Sequence, residues 1–539
     1  MASDEYDYII VGAGSAGCAL AYRLGSDPSI RVLVLEAGKT DGHFFIHMPA
    51  GIVTLAGKGL FNWGYWTEPQ ANCNGRRMYW PRGKGLGGSS SINAMLYIRG
   101  HAWDYDHWRQ LGNPGWSYAD VLPWFLKAQH NERGASEFHG VGGPLNVADQ
   151  ISPAGINAAF IEACVQAGYR RATDFNGPTQ DGVGYYQVTQ KAGRRWSAAQ
   201  AYLRPAMARG NVTVLTDAHT AKVMIEKGRA TGVVYRKDGK DEIVRAAREV
   251  VLSGGAINSP QLLMLSGIGP ADHLKAHGIA VVADVPGVGG NLQDHLDAAT
   301  LYHCRTRDTY DTANQLVTLA KYVFGKTGPG TSCIAESGGF LRTAEGLAAP
   351  DIQLHFIPAF VIDHGRTKMK SNGMTLHVCL LRPESRGSIR LKSADPLQSV
   401  AIDANYLAVP RDLEVLVKGT KMARDIFAQK AFDPYRGEEM EPGANKLSDA
   451  DLAQWVRARC ETIYHPAGTC KMGPASDAFA VVDNELRVRG VARLRVVDAS
   501  IMPSVIGGNT NAPTIMIAER AAAFMTGDKL SGADTAEAA

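Results

Sequence analysis

Tyr8-Ile9-Ile10-Val11-Gly12-Ala13-Gly14-Ser15-Ala16-Gly17 is the stretch whose reading decides the fold, and Glu36 completes it. Tyr8 to Val11 is a short β-branched and aromatic run of the kind that forms a buried parallel strand. Ala16 to Leu24 predicts a helix, and Arg31-Val-Leu-Val-Leu35 predicts a second strand ending at Glu36. Between the first strand and the helix lies G-x-G-x-x-G. Gly12 permits a tight turn, Gly14 lets a pyrophosphate approach the backbone, and Gly17 lets helix and strand pack closely. The helix N-terminus then faces the phosphate charge. Glu36 stands about 20 residues on, where a carboxylate accepts both ribose hydroxyls of an adenosine and repels a 2′-phosphate, which argues against NADP. A glycine-rich turn in an ordinary α/β protein is the alternative. Strand, helix and acid all in register favour a dinucleotide site, without separating FAD from NAD, since both carry the ADP half.

Composition sets the bounds. A chain of 539 residues is too long for one compact core, so two domains are expected. The net charge of +3 comes without a basic block, which argues against nucleic acid as a partner. Eight cysteines are scattered with no C-x-x-C, which argues against a disulfide framework and against a zinc or iron–sulfur site, and suits a reducing compartment. No metal site is expected. Met1-Ala-Ser-Asp-Glu-Tyr6 is acidic and does not read as a signal peptide. No run of about 18 apolar residues appears, so no membrane span is expected. The expected localisation is cytoplasmic, and composition leaves peripheral attachment to a membrane open.

Further along, residues 43 to 80 read as an extended excursion with short structured pieces. Gly83-Lys84-Gly85-Leu86-Gly87-Gly88-Ser89-Ser90-Ser91-Ile92-Asn93 offers many backbone N–H groups and little bulk, fit to cradle a pyrophosphate or to lie beneath a planar ring. It leads into Ala94 to Ile98, which reads as ordered core. Trp103, Trp108, Trp116 and Trp124 are read as core residues on short helices. Strands are expected at Asn211–Leu215, Lys222–Ile225, across a turn from Gly232 to Val244, and at Glu249–Ser253. The last runs into a second glycine-rich turn and a helix from Gln261 to Ser266. From about Leu301 to Arg459 alternating apolar stretches predict an antiparallel sheet with helices, Arg411–Gln429 and Asp449–Arg459 among them. Ala320 to Thr327 imitates a phosphate-binding loop, but its first glycine is Ala320, no strand precedes it, and Gly328-Pro329 forbids a following helix. Leu316 to Phe324 leans apolar and is a candidate lid or membrane-facing patch. Ser531 to Ala539 reads as a disordered tail.

The chemistry gathers late in the chain. Tyr464-His465-Pro466-Ala467-Gly468 holds an imidazole in a loop fixed by proline and glycine. A single histidine is more often structural than catalytic, and this context raises the catalytic reading. Gly507-Gly508-Asn509-Thr510-Asn511 is a polar turn feeding a helix whose N-terminus carries partial positive charge. With these motifs in order, the chain resembles the glucose–methanol–choline (GMC) flavoprotein oxidoreductases over essentially its full length. Asp181 to Gln190, Arg195-Trp-Ser197 and Gly508 to Thr514 make it most similar to the bacterial quinone-linked aliphatic alcohol dehydrogenases of alkane degradation, and next to choline dehydrogenases.

The resemblance implies an α/β fold (α+β overall). A Rossmann-like FAD-binding domain, residues 1–155, 193–303 and 460–539, carries a discontinuous substrate-binding domain, 156–192 and 304–459, built on an antiparallel sheet flanked by helices. It implies FAD, with Gly12, Gly14 and Gly17 at the pyrophosphate, Glu36 at the ribose, and Gly87, Gly88, Ser91 and Asn93 along the isoalloxazine and its chain. Val223 is placed at the adenine, and Asp498 and Ala499 near the ribityl and phosphate region. Ser15, Ala16, Ala37, Arg82, Ala94, Met95, Leu96, Asn509, Pro513 and Thr514 complete the cofactor set. Relatives that attach FAD covalently use a histidine where this chain has Ile92, so a non-covalent flavin is implied. His465 is implied as the base and Asn509 as the group that orients the alcohol hydroxyl. Glu336 either faces a substrate ammonium or is a solvated or structural glutamate. His355 and Tyr464 are candidate substrate contacts, though an ordinary sheet histidine is the stronger reading of His355. The implied reaction oxidises primary aliphatic or aromatic alcohols to aldehydes, with electrons passed to a quinone or artificial acceptor and peripheral association with the cytoplasmic face of the inner membrane. Choline dehydrogenase, an oxidase using O2, a hydroxynitrile lyase and a non-enzymatic flavoprotein stay open as alternatives.

Overall fold

The structure, a computed structural model, describes residues 5–528. The polar tail expected from Ser531 lies outside them.

The Tyr8–Val11 run sits in strand Glu5–Val11, inside a seven-stranded sheet. Its order is Val212–Leu215, Val32–Leu35, Glu5–Val11, Lys240–Leu252, Arg229–Lys237 and His219–Glu226, with Leu494–Val496 also pairing Lys240–Leu252. The first four and Leu494–Val496 run parallel; the last two are antiparallel. All four residues of Val32–Leu35 are buried, as a parallel strand covered on both faces must be. Helix Ser15–Leu24 packs against this sheet and against helix Asn511–Thr526. There Arg23 Nε donates to the fully buried carboxylate of Glu519 at 2.5 Å, tying the two helices together.

The predicted second strand-to-helix turn lies beside the first. Ser253 N–H donates to Val11 O at 2.8 Å. The helix after it begins at Gly255, earlier than expected, and contains Pro260. Proline removes the bond to the carbonyl four residues back. That carbonyl, of Ala256, instead accepts the Thr469 hydroxyl at 2.6 Å, so the helix continues through a residue that normally stops one.

The second seven-stranded sheet has the order Arg436–Glu441, Leu296–Cys304, Gly373–Leu380, Ile352–Ile357, Ser337–Leu341 and Gly182–Tyr185, and Glu461–Thr462 pairs the start of Leu296–Cys304. Every pairing in it is antiparallel. Helices Pro410–Phe427 and Ile156–Gln166 pack on it. The placement of 296–303 and 461–462 with the first domain is therefore corrected, because these strands hydrogen-bond in the second sheet. Leu296–Cys304 gives no alternating signal because most of its residues are buried on both faces. Trp108, Trp116 and Trp124 are core residues, whereas Trp103 is half-buried and stacks on His107. Ala320 to Gly325 lies within helix Gln315–Gly325 and is no phosphate loop.

Candidate functional site

One cavity runs between the two sheets, from the Gly12 turn to strands Ile352–Ile357 and Gly373–Leu380. At its first end the two glycine runs touch. A Cβ on Gly88 would lie 2.8 Å from Gly14 Cα, and one on Gly12 would lie 2.5 Å from Ser253 O. Gly87 N–H donates to Ala13 O at 2.8 Å. Only glycine permits this approach, since Gly12, Gly87 and Gly88 all have positive φ. The buried Arg195 braces the second run, donating to Ile46 O at 2.8 Å, Ser90 O at 3.2 Å and Asn93 O at 2.6 Å.

Three helices start at this cavity: Ser15–Leu24, Gly255–Leu265 and Asn511–Thr526. None has an N-cap side-chain bond or an acidic residue in its first turn, but at the start of the second the Asp498 carboxylate accepts Gly255 N–H at 2.8 Å, which leaves the first and third open. Helices Tyr118–Ala128, Gln315–Gly325 and Asp449–Arg459 are instead capped by Ser117, Asn314 and Ser448. Uncapped N–H groups facing a cavity are donors for an anion. Glu36 Oε2 accepts Ala13 N–H at 2.9 Å and Oε1 accepts Gly38 N–H at 2.8 Å, so the carboxylate stands fixed beside the Gly12 turn. Burial pushes its pKa up.

At the other end His465 and Asn509 meet, Asn509 Nδ2 lying 3.2 Å from His465 Nε2. Gln353 Nε2 donates to Asn509 Oδ1 at 3.1 Å, which orients the amide. His465 Nδ1 lies 2.9 Å from His295 Nδ1. Its backbone N–H donates to Asp294 Oδ1 at 2.8 Å. Thr462 Oγ1 donates to Asp294 Oδ2 at 2.6 Å, and the Tyr406 hydroxyl donates to the same oxygen. Burial, then the neighbouring His295, His355 and Arg82, hold the His465 imidazole well below the usual histidine range. Burial pushes Asp294 up to about 6. Backbone strain collects here, since the cavity-lining residues Met95, Ile334 and Tyr464 all have φ between 64° and 77°. For a β-branched residue such as Ile334 this is a marked outlier, of the kind concentrated at functional sites.

GMC oxidoreductase family models match residues 6–297 and 383–518. The chain is a GMC oxidoreductase. It is 48% identical to mitochondrial choline dehydrogenase of Homo sapiens, covering 97% of this chain and 90% of that one. It is also 48% identical to an alcohol dehydrogenase [acceptor] of Pseudomonas putida, covering 96% and 95%. A solved formate oxidase of Aspergillus oryzae RIB40, described for its FAD modification, superposes with a TM-score of 0.90 at 27% identity over 98% of each chain. FAD is the cofactor of this GMC oxidoreductase, and the glycine cradle and the uncapped N-terminus of helix Ser15–Leu24 fit its pyrophosphate.

Most of the residues expected at the cofactor line the cavity: Gly12, Gly14, Ser15, Ala16, Glu36, Ala37, Arg82, Gly88, Asn93 to Leu96, Asp498, Ala499, Asn509 and Thr514. The others are displaced for identifiable reasons. Gly17 is a packing glycine beneath Gly12. Gly87 lies behind the run, Ser91 Oγ donates to Leu86 O at 2.6 Å, and Pro513 is buried in its helix. Val223 N–H donates to Ser266 Oγ at 2.8 Å, while Ala218, His219 and Thr220 line the cavity. Glu336 is placed as the structural alternative has it. It is fully buried outside the lining, accepting Ala154 N–H at 2.8 Å, Asn157 Nδ2 at 2.6 Å and the Tyr310 hydroxyl at 2.5 Å. His355 and Tyr464 do line the cavity, and His355 Nδ1 is buried without a partner. Asp294, His295 and Arg195 carry roles that went unread; the polar run Gln293-Asp294-His295 after a glycine-rich turn was the available signal.

Proposed function

We propose that this oxidoreductase oxidises primary, uncharged alcohols, aliphatic or aromatic, to aldehydes, and passes the electrons to a quinone or comparable acceptor. The observation that carries the substrate class is the charge of the wall. Glu36 and Asp498 are the only carboxylates among the described residues lining the cavity, and both sit by the glycine turns. Around His465 the wall is Ala335, Ile334, Ile357, Val361 and Ile463 with Tyr464, Tyr79 and the imidazoles of His355, His364 and His377. Burial holds His355 down to about 3 and His364 down to about 4, so both are neutral at neutral pH. A quaternary ammonium group would want a carboxylate beside the rings of Tyr464 and Tyr79, and none lines that part of the wall; an alkyl or aryl chain finds apolar surface.

Bound FAD supplies the hydride acceptor. The chain supplies the proton acceptor and the orientation. The substrate oxygen enters between His465 Nε2 and Asn509 Nδ2, the hydroxyl donating to the imidazole while the amide donates to the oxygen. The hydroxyl proton moves to His465 Nε2, and Asn509 stabilises alkoxide charge as it develops. Ile92 lines the cavity with no nucleophilic atom, which supports a non-covalent flavin. The 48% identity to human choline dehydrogenase keeps choline oxidation as the second reading. Anaerobic flavin bleaching by octanol, benzyl alcohol and choline separates the two. Octanol and benzyl alcohol are expected to bleach at least about 100-fold faster per molar than choline, corresponding to about 2.7 kcal/mol of discrimination. Bleaching by choline alone would move the enzyme to the second reading.

We place the acceptor step at a membrane surface. Among the described residues no helix is long and apolar enough to cross a membrane. Helix Gln315–Gly325, however, exposes Leu316 (79%) and Phe324 (90%) beside Val317, Val323 and the exposed Lys321. Apolar residues flanked by lysine suit an anionic interface on the cytoplasmic side. The holoenzyme is expected to float with anionic liposomes, and Leu316→Asp/Phe324→Asp to stay in the soluble fraction with unchanged flavin reduction. Equal flotation of both proteins would refute the attachment.

A further inference from the structure

The base is framed by one segment. Gln293 N–H donates to Ala467 O at 3.0 Å and Ala467 N–H returns to Gln293 O at 2.9 Å, while Ile463 N–H donates to His295 O at 3.0 Å. Backbone pairing therefore sets the His295 and His465 rings together, with centroids 5.1 Å apart and planes at 90°. Both are buried.

The protons in this pair can be assigned by elimination. His295 Nε2 lies 3.1 Å from the carbonyl oxygen of Leu381, which can only accept, so Nε2 carries the hydrogen. No carboxylate is hydrogen-bonded to His295, and burial holds its pKa down to about 4, so the ring is neutral and its Nδ1 is bare. The 2.9 Å contact between the two Nδ1 atoms then requires His465 to donate. His465 Nδ1 holds the hydrogen, and its Nε2 presents a lone pair to the cavity. Asn509 Nδ2, a donor, faces that lone pair, which agrees with the assignment.

We infer that His295 is a positioning residue that selects the reactive tautomer of His465, by accepting the Nδ1 hydrogen and leaving Nε2 free to receive the substrate's proton. This rests on the reading of His465 as base. It assigns to a neutral imidazole the part that a carboxylate plays in other base-orienting pairs. Unlike a carboxylate, it adds no negative charge beside the base, so the fixed tautomer comes without a raised pKa.

The test uses the holoenzyme. His295→Leu removes the acceptor and keeps the bulk. Its rate constant for anaerobic flavin reduction by octanol is expected to fall between about 10-fold and about 10⁴-fold, with FAD content and octanol KM unchanged. The loss should be the same factor at every pH above the acid limb, because a tautomer ratio does not depend on pH. His295→Asn, whose Oδ1 replaces Nδ1 as acceptor, should recover most of the rate. An unchanged rate in His295→Leu would overturn the inference. If His295→Leu loses its flavin, ¹⁵N NMR of histidine-labelled wild type decides: a proton on His465 Nε2 would also overturn it. Full activity of His465→Ala would instead sink the base reading beneath it, whereas an inactive His465→Ala beside a fully active His295→Leu would sink this inference alone.

Discussion

His465→Ala is expected to lower the rate constant for flavin reduction by an alcohol by about 10²- to 10⁴-fold, the usual contribution of a positioned general base. FAD content should be unchanged, because the side chain hydrogen-bonds to His295 and Asn509, at the far end of the cavity from the glycine turns. The pH dependence carries a second signature. The base works only when neutral. Burial, and then the neighbouring His295, push its pKa well below the ordinary 6.5. Wild-type kcat/KM should therefore stay level as pH falls through 6.5 and decline only below it. That acid limb should vanish in His465→Ala. Stopped-flow flavin bleaching across pH measures both. An acid limb unchanged in the alanine variant would assign proton transfer elsewhere.

Gly17→Ala is expected to yield protein with little or no flavin and a lowered melting temperature. An added Cβ at Gly17 would overlap the carbonyl oxygen of Gly12 and lie 3.3 Å from Ile10 Cγ2. The obstacle is backbone, so no side-chain rotation relieves it. Helix Ser15–Leu24 cannot simply retreat, since Arg23 holds it to Glu519 on helix Asn511–Thr526. Overpacking of this kind costs about 1–3 kcal/mol or more, and it displaces the turn that receives the pyrophosphate. Gly57→Ala is the control. It lies inside helix Ile52–Lys58, a Cβ there would meet nothing within 4 Å, and alanine should be neutral or stabilising by up to about 1 kcal/mol. The flavin-to-protein absorbance ratio and a melting curve read both variants. Full flavin occupancy in Gly17→Ala would show that the turn adapts more easily than its geometry indicates.

What was legible in the sequence was local. The Tyr8–Glu36 unit could be read because strand, turn, helix and acid follow one another, and each glycine answers a contact a few residues away. His465 was legible from its loop, but its partner was not: His295 lies 170 residues earlier and only sheet pairing brings them together. Glu336 shows the limit of pattern reading. It immediately precedes strand Ser337–Leu341, and whether its carboxylate enters the cavity or the helix side depends on one step of register. The second sheet was recognised from Ile352 to Phe356, yet all those residues are buried. Their alternation puts Gln353 and His355 on one face, where Gln353 meets Asn509 and His355 lines the cavity. Pro260 read as a helix boundary because the compensating hydroxyl, Thr469, is over two hundred residues away.

Helix Asn511–Thr526 docks on helix Ser15–Leu24, and its uncapped N-terminus supplies a wall of the cavity. On the ribosome, this means that the glycine turn made first waits for almost the entire chain. At roughly 5–20 residues per second the delay is on the order of half a minute to two minutes. Throughout that interval the face of the first helix that meets the last one has no cover, although residues 199–207 already pack beside it. A nascent chain with that face bare is a client for chaperones until the last helix arrives.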